Sequence, residues 1–183
     1  MRKLIHEEIL EQRITNEEAL AAGRHPVIGV LEDIRSLYNV GSCFRTADAM
    51  LLRRLVLCGY TPVPPRREIS KTALGATESV PWEYIRDPVE AVMRLKEEGY
   101  TVHALEITDK GTPLDRLEDP AYPVALVVGN EIAGVGAATL EHCDGAIEIP
   151  MYGVKHSLNV AVAFGIGVWE LVRRVAVPRS REV

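Results

Sequence analysis

Val124-Ala-Leu-Val-Val-Gly-Asn-Glu-Ile-Ala-Gly-Val-Gly136 is the stretch that decides the fold. Its apolar start, with no polar alternation, reads as a strand buried on both faces, the pattern of a parallel sheet. The run stops at Gly129, Asn130 and Glu131, crosses a turn broken by Gly134, and regains helical spacing over 135–141. A strand that passes through a glycine turn into a helix delivers its carboxyl end to a crevice, where glycines let a ligand approach the main chain. Gly129 and Gly134 would equally serve a tight turn with no ligand, and spacing does not separate the two uses. The dinucleotide fingerprint fails, because Gly134-x-Gly136 is followed by Thr139 where a third glycine is needed. No Lys-Ser/Thr follows to make a phosphate-binding loop, so NAD and ATP are both disfavoured.

Outward from this stretch, short apolar runs at 27–31, 55–59, 101–106 and 146–149 read as further strands. Helical periodicity covers 39–52, 88–98 and 158–175, with Gly99 ending the second of these. Strands alternating with helices predict an α/β fold with a parallel sheet flanked by helices. Residues 4–22 carry apolar positions at helical spacing with a cap at Thr15 or Asn16, which predicts an arm of two short helices. At 183 residues and 47% hydrophobic, the chain fits one domain. Its parts are an N-terminal arm (1–24), a core (25–176) and a polar tail (177–183).

No apolar run reaches the roughly eighteen residues of a membrane span, and Arg2, Lys3, Glu7 and Glu8 interrupt any signal sequence. A cytoplasmic, soluble protein is expected. Cys43, Cys58 and Cys143 form no C-x-x-C pair, and the histidines lack ligand spacing, so no metal is expected. Taken as a sum, the net charge of −5 opposes a nucleic-acid partner. Clustering matters more than the sum: Arg53 with Arg54, and Arg66 with Arg67 and Lys71, are candidate phosphate contacts, while acids gather at 7–18 and 83–98.

Two further segments carry chemistry. Asn39-Val-Gly-Ser-Cys-Phe-Arg45 opens a helix; Asn39, Ser42 and Arg45 recur at three-residue spacing, while Phe44 and Ala47 turn inward. Ile149-Pro-Met-Tyr-Gly-Val-Lys-His-Ser-Leu-Asn159 leads from a short strand into a long apolar helix. Helix capping alone could account for Ser157 and Asn159.

Together the three segments resemble the three motifs of the SpoU (TrmH) family within the SPOUT methyltransferase superfamily. Asn39, Gly41 and Arg45 match N-x-G-x-x-x-R. Gly129, Asn130, Glu131 and Gly134 match the strand followed by G-N-E and a glycine turn, and Ile149 to Ala163 match I-P-M-x-G-x-x-x-S-L-N-V-x-V-A. The resemblance implies a C-terminal deep trefoil knot, a rare exception to unknotted folding, and a homodimer. It implies S-adenosylmethionine held by Val128, Gly129, Asn130, Ile149, Met151, Gly153, Ser157 and Leu158.

It also implies methyl transfer to a ribose 2′-hydroxyl of RNA, with Arg45, Asn39, Glu131, Ser157 and Asn159 as the catalytic set. Arg45 would hold the adjoining phosphate and stabilise the developing alkoxide, oriented by Asn39 and Glu131. A guanidinium stays protonated in proteins, so Arg45 assists by charge and the base is left open. RNA contacts are expected at Arg45, Arg53, Arg54, Arg66, Arg67 and Lys71. The preferred RNA is tRNA, with ribosomal RNA and a noncatalytic RNA-binding dimer as alternatives. With only a short arm and a brief basic tail beside the core, target choice is expected to rest on the catalytic domain.

Overall fold

The computed structural model describes residues 1–11, 14–21, 23–118 and 120–175. The expected polar tail 177–183 lies outside them. Among the described residues no helix is long and apolar enough to cross a membrane.

Among the described residues seven parallel strands form one sheet in the order β3-β2-β1-β6-β4-β7-β5. They are β1 (His25–Glu32), β2 (Leu52–Cys58), β3 (Trp82–Ile85), β4 (Thr101–Leu105), β5 (Thr112–Pro113), β6 (Val124–Val128) and β7 (Gly145–Glu148). The chain builds outward from β1 to β3, crosses to β4 and β5, then returns to insert β6 between β1 and β4 and β7 between β4 and β5. The continuous apolar run of β6 follows from this position, since all five of its residues are buried.

Alternate side chains of each strand feed two cores. Leu31, Leu57, Leu126 and Ile147 pack toward helices α3 (Leu37–Ala49), α4 (Arg67–Ala73), α5 (Ala76–Ser79) and α8 (Val160–Val175). Val30, Val56, Ala104 and Val127 pack with Ala91, Val92 and Leu95 of α6 (Pro88–Glu97), with Leu140 of α7 (Ala137–His142) against the same cluster. Gly29 admits α8 to β1: a Cβ there would lie 2.7 Å from the Phe164 ring and 2.8 Å from Leu55.

The arm forms α1 (His6–Glu11) and α2 (Asn16–Ala21). Thr15 and Glu18 cap the second reciprocally, Glu18 N–H donating to Thr15 Oγ1 while Glu18 accepts from Thr15 N–H. Several boundaries differ from expectation. α3 begins two residues earlier than 39, because Ser36 Oγ accepts the Asn39 N–H. It stops at Ala49, where Leu51 with φ +48° turns the chain straight into β2. That strand starts at Leu52 and not at 55, its charged Arg53 and Arg54 having masked it.

Candidate functional site

The carboxyl ends of β4, β6 and β7 converge on a cleft of about 540 Å³, a size suited to a small-molecule ligand. Of the expected cofactor residues, Val128, Gly129, Asn130, Ile149, Met151, Ser157 and Leu158 line it, whereas Gly153 does not. Apolar walls come from Leu105, Ile107, Val160 and Ala163. The charged lining is mainly acidic: Glu106, Glu131 and Glu148 line the cleft together with His156, and no lysine or arginine is among the lining residues. Such a cleft favours a cationic guest over a phosphate-bearing one.

The turn after β6 is built to one shape. Asn130 and Gly134 exchange backbone hydrogen bonds of 3.0 and 2.9 Å, with Gly134 at φ +71°. A Cβ at Gly129 would collide with the Gly134 carbonyl, so the close approach requires glycine there. Asn130 commits its amide to holding this turn. Its Oδ1 accepts from Ile132 N–H and Ala133 N–H, both at 2.9 Å. Its Nδ2 donates to the Asp33 carbonyl at 2.8 Å and to Tyr60 Oη at 2.7 Å.

Glu131 then reaches across to the amino end of α3. Its carboxylate accepts from Arg35 N–H at 2.9 Å, Ser36 N–H at 3.1 Å and Asn39 Nδ2 at 2.9 Å. Burial alone would push this carboxyl up, but the donors from Arg35, Asn39 and Ser36 outweigh it and hold the group below the usual carboxylate range. Asn39 Oδ1 in turn accepts from Asn159 Nδ2 at 3.1 Å. Asn159 caps α8, its Oδ1 accepting from Ala161 N–H at 3.0 Å. One hydrogen-bonded chain, Glu131–Asn39–Asn159, thus joins three segments far apart in sequence.

Two expectations about this network are corrected. Asn39 and Glu131 do not contact Arg45 in the described structure; they hold the first turn of α3. Residues 39 and 45 are about 120° apart around a helix, so the stripe that carries Arg45 is Tyr38, Ser42 and Arg45. Arg45 is exposed and has no ion pair or hydrogen bond among the described residues. Capping explains Asn159 but not Ser157, which is exposed and lines the cleft.

The basic candidates separate by position. Arg53 and Arg54 stand at the amino end of β2, the end of the sheet away from the cleft. Arg54 bonds to Glu83 and Glu98, both at 2.7 Å, with its side chain only 21% exposed, so it serves the fold there. Arg66, Arg67 and Lys71 are exposed at and along α4, which packs against α3 at Gly41, where a Cβ would collide with Thr72 and the Ile69 carbonyl. Sequence reasoning missed Arg35, Tyr38 and Tyr60. They lie in loops or at a helix start, where no periodicity tells what a side chain will face.

Known proteins resemble this chain in sequence and in fold. A 23S rRNA (guanosine-2'-O-)-methyltransferase of Neisseria meningitidis is 33% identical over 159 residues, covering 86% of this chain and 62% of the relative. The Haemophilus influenzae protein of the same name is 32% identical, covering 86% and 64%. The chain therefore spans a little under two thirds of the length of these curated relatives. A solved A. aeolicus TrmH/SpoU tRNA modifying enzyme superposes with a TM-score of 0.77 at 28% identity, covering 92% of this chain and 83% of that one. An AdoMet-bound rRNA methyltransferase from Sinorhizobium meliloti gives 0.76 at 26%, covering 84% and 59%. The SpoU rRNA Methylase family model matches residues 26–169, which include every residue of the cleft and of the Glu131–Asn39–Asn159 network, and the chain belongs to that family.

Proposed function

We propose that the chain transfers a methyl group from S-adenosylmethionine to a ribose 2′-hydroxyl of RNA, with ribosomal RNA preferred over the tRNA first expected. The observation that carries the reading is the Glu131–Asn39–Asn159 network, which joins an acidic cleft to the first turn of α3, the helix that carries an exposed Arg45 with no ion pair among the described residues. The preference for ribosomal RNA rests on the 23S rRNA relatives in Neisseria and Haemophilus.

The cleft fits the cofactor by its chemistry. Leu105, Ile149, Met151 and Leu158 offer apolar walls for an adenine, and Glu106, Glu131 and Glu148 a field suited to a sulfonium and an ammonium. When bound, the cofactor supplies an electrophilic methyl. The chain's own residues do the rest. Arg45 holds the phosphate beside the target ribose and offsets negative charge as the 2′-oxygen loses its proton. Asn39, held between Glu131 and Asn159, fixes the first turn of α3, the helix that carries Arg45. Glu131 is a poor base, its oxygens already taken by three donors. Ser157, exposed at the cleft wall, is placed to meet substrate or cofactor.

Three further features belong to this reading. The expected trefoil knot is supported by β6 and β7 inserting between earlier strands, and by Tyr122 Oη, ahead of β6, donating to the Leu171 carbonyl of α8 at 2.6 Å. A homodimer is supported by Val162, Ile166 and Trp169, an exposed apolar stripe at helical spacing on α8. We read the core 25–176 as one catalytic unit, and an RNA substrate of this kind goes with a cytoplasmic protein.

The test is transfer of labelled methyl into ribosomal RNA and tRNA separately, by wild type and by Arg45→Ala. We expect incorporation into ribosomal RNA that Arg45→Ala abolishes, with S-adenosylhomocysteine affinity nearly unchanged. Equal loss of turnover and cofactor affinity would sink the role given to Arg45. No incorporation into either pool, despite cofactor binding, would sink the activity.

A further inference from the structure

Tyr38 occupies the first turn of α3 and is 49% exposed. Its carbonyl accepts two hydroxyls, Ser42 Oγ at 2.9 Å and Thr72 Oγ1 at 3.0 Å, which fixes the turn and ties α4 to it at that level. The phenol itself has no partner among the described residues. Tyr38, Ser42 and Arg45 follow one another at four and three residues, so the ring and the Arg45 guanidinium share a stripe, about 10 Å apart along the axis. Arg35 precedes the helix, and α4 adds Arg67 and Lys71; all are exposed and without a carboxylate partner among the described residues. Elsewhere Arg54, Arg94 and Arg174 are paired with glutamates.

A lone exposed tyrosine on a charge-paired surface needs no explanation. An exposed ring inside a group of unpaired cations has the two parts that single-stranded nucleic acid needs: charge for the backbone and a π-face for a base. A duplex would leave the ring idle, because its bases are stacked and the deep major groove of A-form RNA is closed to side chains. We propose that Tyr38 is a stacking platform for an unpaired RNA base beside the nucleotide held by Arg45, so that the substrate class is a loop, bulge or unpaired junction. This rests on the methyl-transfer reading for its site, and it has its own readout.

The experiment uses the full chain and a single-stranded oligoadenylate carrying one 2-aminopurine, whose fluorescence falls on stacking, beside the same sequence in a duplex. Wild type should bind the single strand with quenching and leave the duplex signal unchanged. Tyr38→Ala should lose the quenching and bind roughly 5- to 150-fold more weakly, the range for one lost base–aromatic stack. Tyr38→Phe should retain both. The salt slope should stay the same in Tyr38→Ala and flatten by about one in Arg67→Ala, which separates stacking from phosphate contact. Unchanged quenching in Tyr38→Ala, no binding by wild type, or a Tyr38→Ala protein whose defect is loss of self-association would each overturn the proposal. If wild type methylates ribosomal RNA and Tyr38→Ala does so with the same kcat and KM, the stacking falls while the activity stands. Quenching that depends on Tyr38 without any methyl incorporation would uphold the stacking and overturn the activity.

Discussion

Asn39→Ala removes the middle link of the network that joins the three motif segments. Two hydrogen bonds go: Nδ2 to the Glu131 carboxylate at 2.9 Å, and Oδ1 from Asn159 at 3.1 Å. A bond to an ionised carboxylate contributes about 1.5–3 kcal/mol and one between neutral amides about 0.5–1.5 kcal/mol. The position is half-exposed, so water refills the vacated sites and the lower ends apply, about 2 kcal/mol together. If that energy holds α3 in its reactive placement, kcat/KM for RNA falls roughly 30-fold. Asn39 does not line the cleft, so affinity for S-adenosylhomocysteine should stay within about threefold. The decisive assay is a double-mutant cycle with Asn159→Ser, which keeps a helix-capping oxygen on α8 but cannot span to Asn39. The two changes share one bond and should show a coupling of about 0.5–1.5 kcal/mol in kcat/KM. Effects that add within about 0.3 kcal/mol would refute the network as the determinant of geometry. So would a loss of cofactor affinity equal to the loss of turnover.

Gly29→Ala places a methyl against Phe164 and Leu55, an overpacking that costs about 2 kcal/mol; thermal melts should fall by about 4–8 °C, and an unchanged Tm would contradict the close seating of α8 on β1. Tyr60→Phe takes one partner from the Asn130 amide, and amide exchange at Ile132 and Ala133 should quicken, while equal protection would show the turn to be held without it. Glu32 is buried with Oε2 unpartnered among the described residues, and burial raises its carboxyl pKa against the hydrogen bonds from Thr139 and Gly136. In the window between its unfolded and folded pKa the unfolded chain binds fewer protons than the native one, so this group lowers stability as pH rises. Urea unfolding from about pH 4 to 8 should therefore show Glu32→Gln gaining on wild type as pH rises, and a constant gap would disprove a buried charge at that site.

How far the sequence carried the fold depended on run length. β6 announced itself because five consecutive buried residues leave no other pattern. β3 and β5 did not, the one being four residues with Glu83 and a half-exposed Tyr84, the other two residues long. α4 and α5 are too short for a period to appear. In the site, the motifs named Asn39, Glu131 and Asn159, but no spacing tells which bonds to which when Asn39 and Asn159 are 120 residues apart. The arginine pairs make the same point. Arg53-Arg54 and Arg66-Arg67 look alike in sequence, yet one opens a strand and the other a helix. In a parallel sheet the start of a strand lies at the edge away from the ligand crevice. Only the direction of β2 separates an arginine that braces glutamates from one free for phosphate.

The net charge of −5 hides a division of labour that the fold makes plain. Acidic side chains line the cleft, and Arg45 on α3 with Arg67 and Lys71 on α4 are exposed cations without a carboxylate partner among the described residues. Left in contact, the two fields would cancel: Arg45 would pair with a cleft glutamate and present nothing to a phosphate. Glu131 stands at the boundary, and its charge is taken up by backbone N–H groups at the start of α3 and by Asn39, not by a guanidinium. A helix amino terminus suits that purpose, because it neutralises an anion without offering a mobile cation that could swing away. The anion therefore stays with the cleft and Arg45 stays free. On the methyl-transfer reading proposed above, a cationic methyl donor and a polyanionic acceptor would each meet a surface of opposite sign.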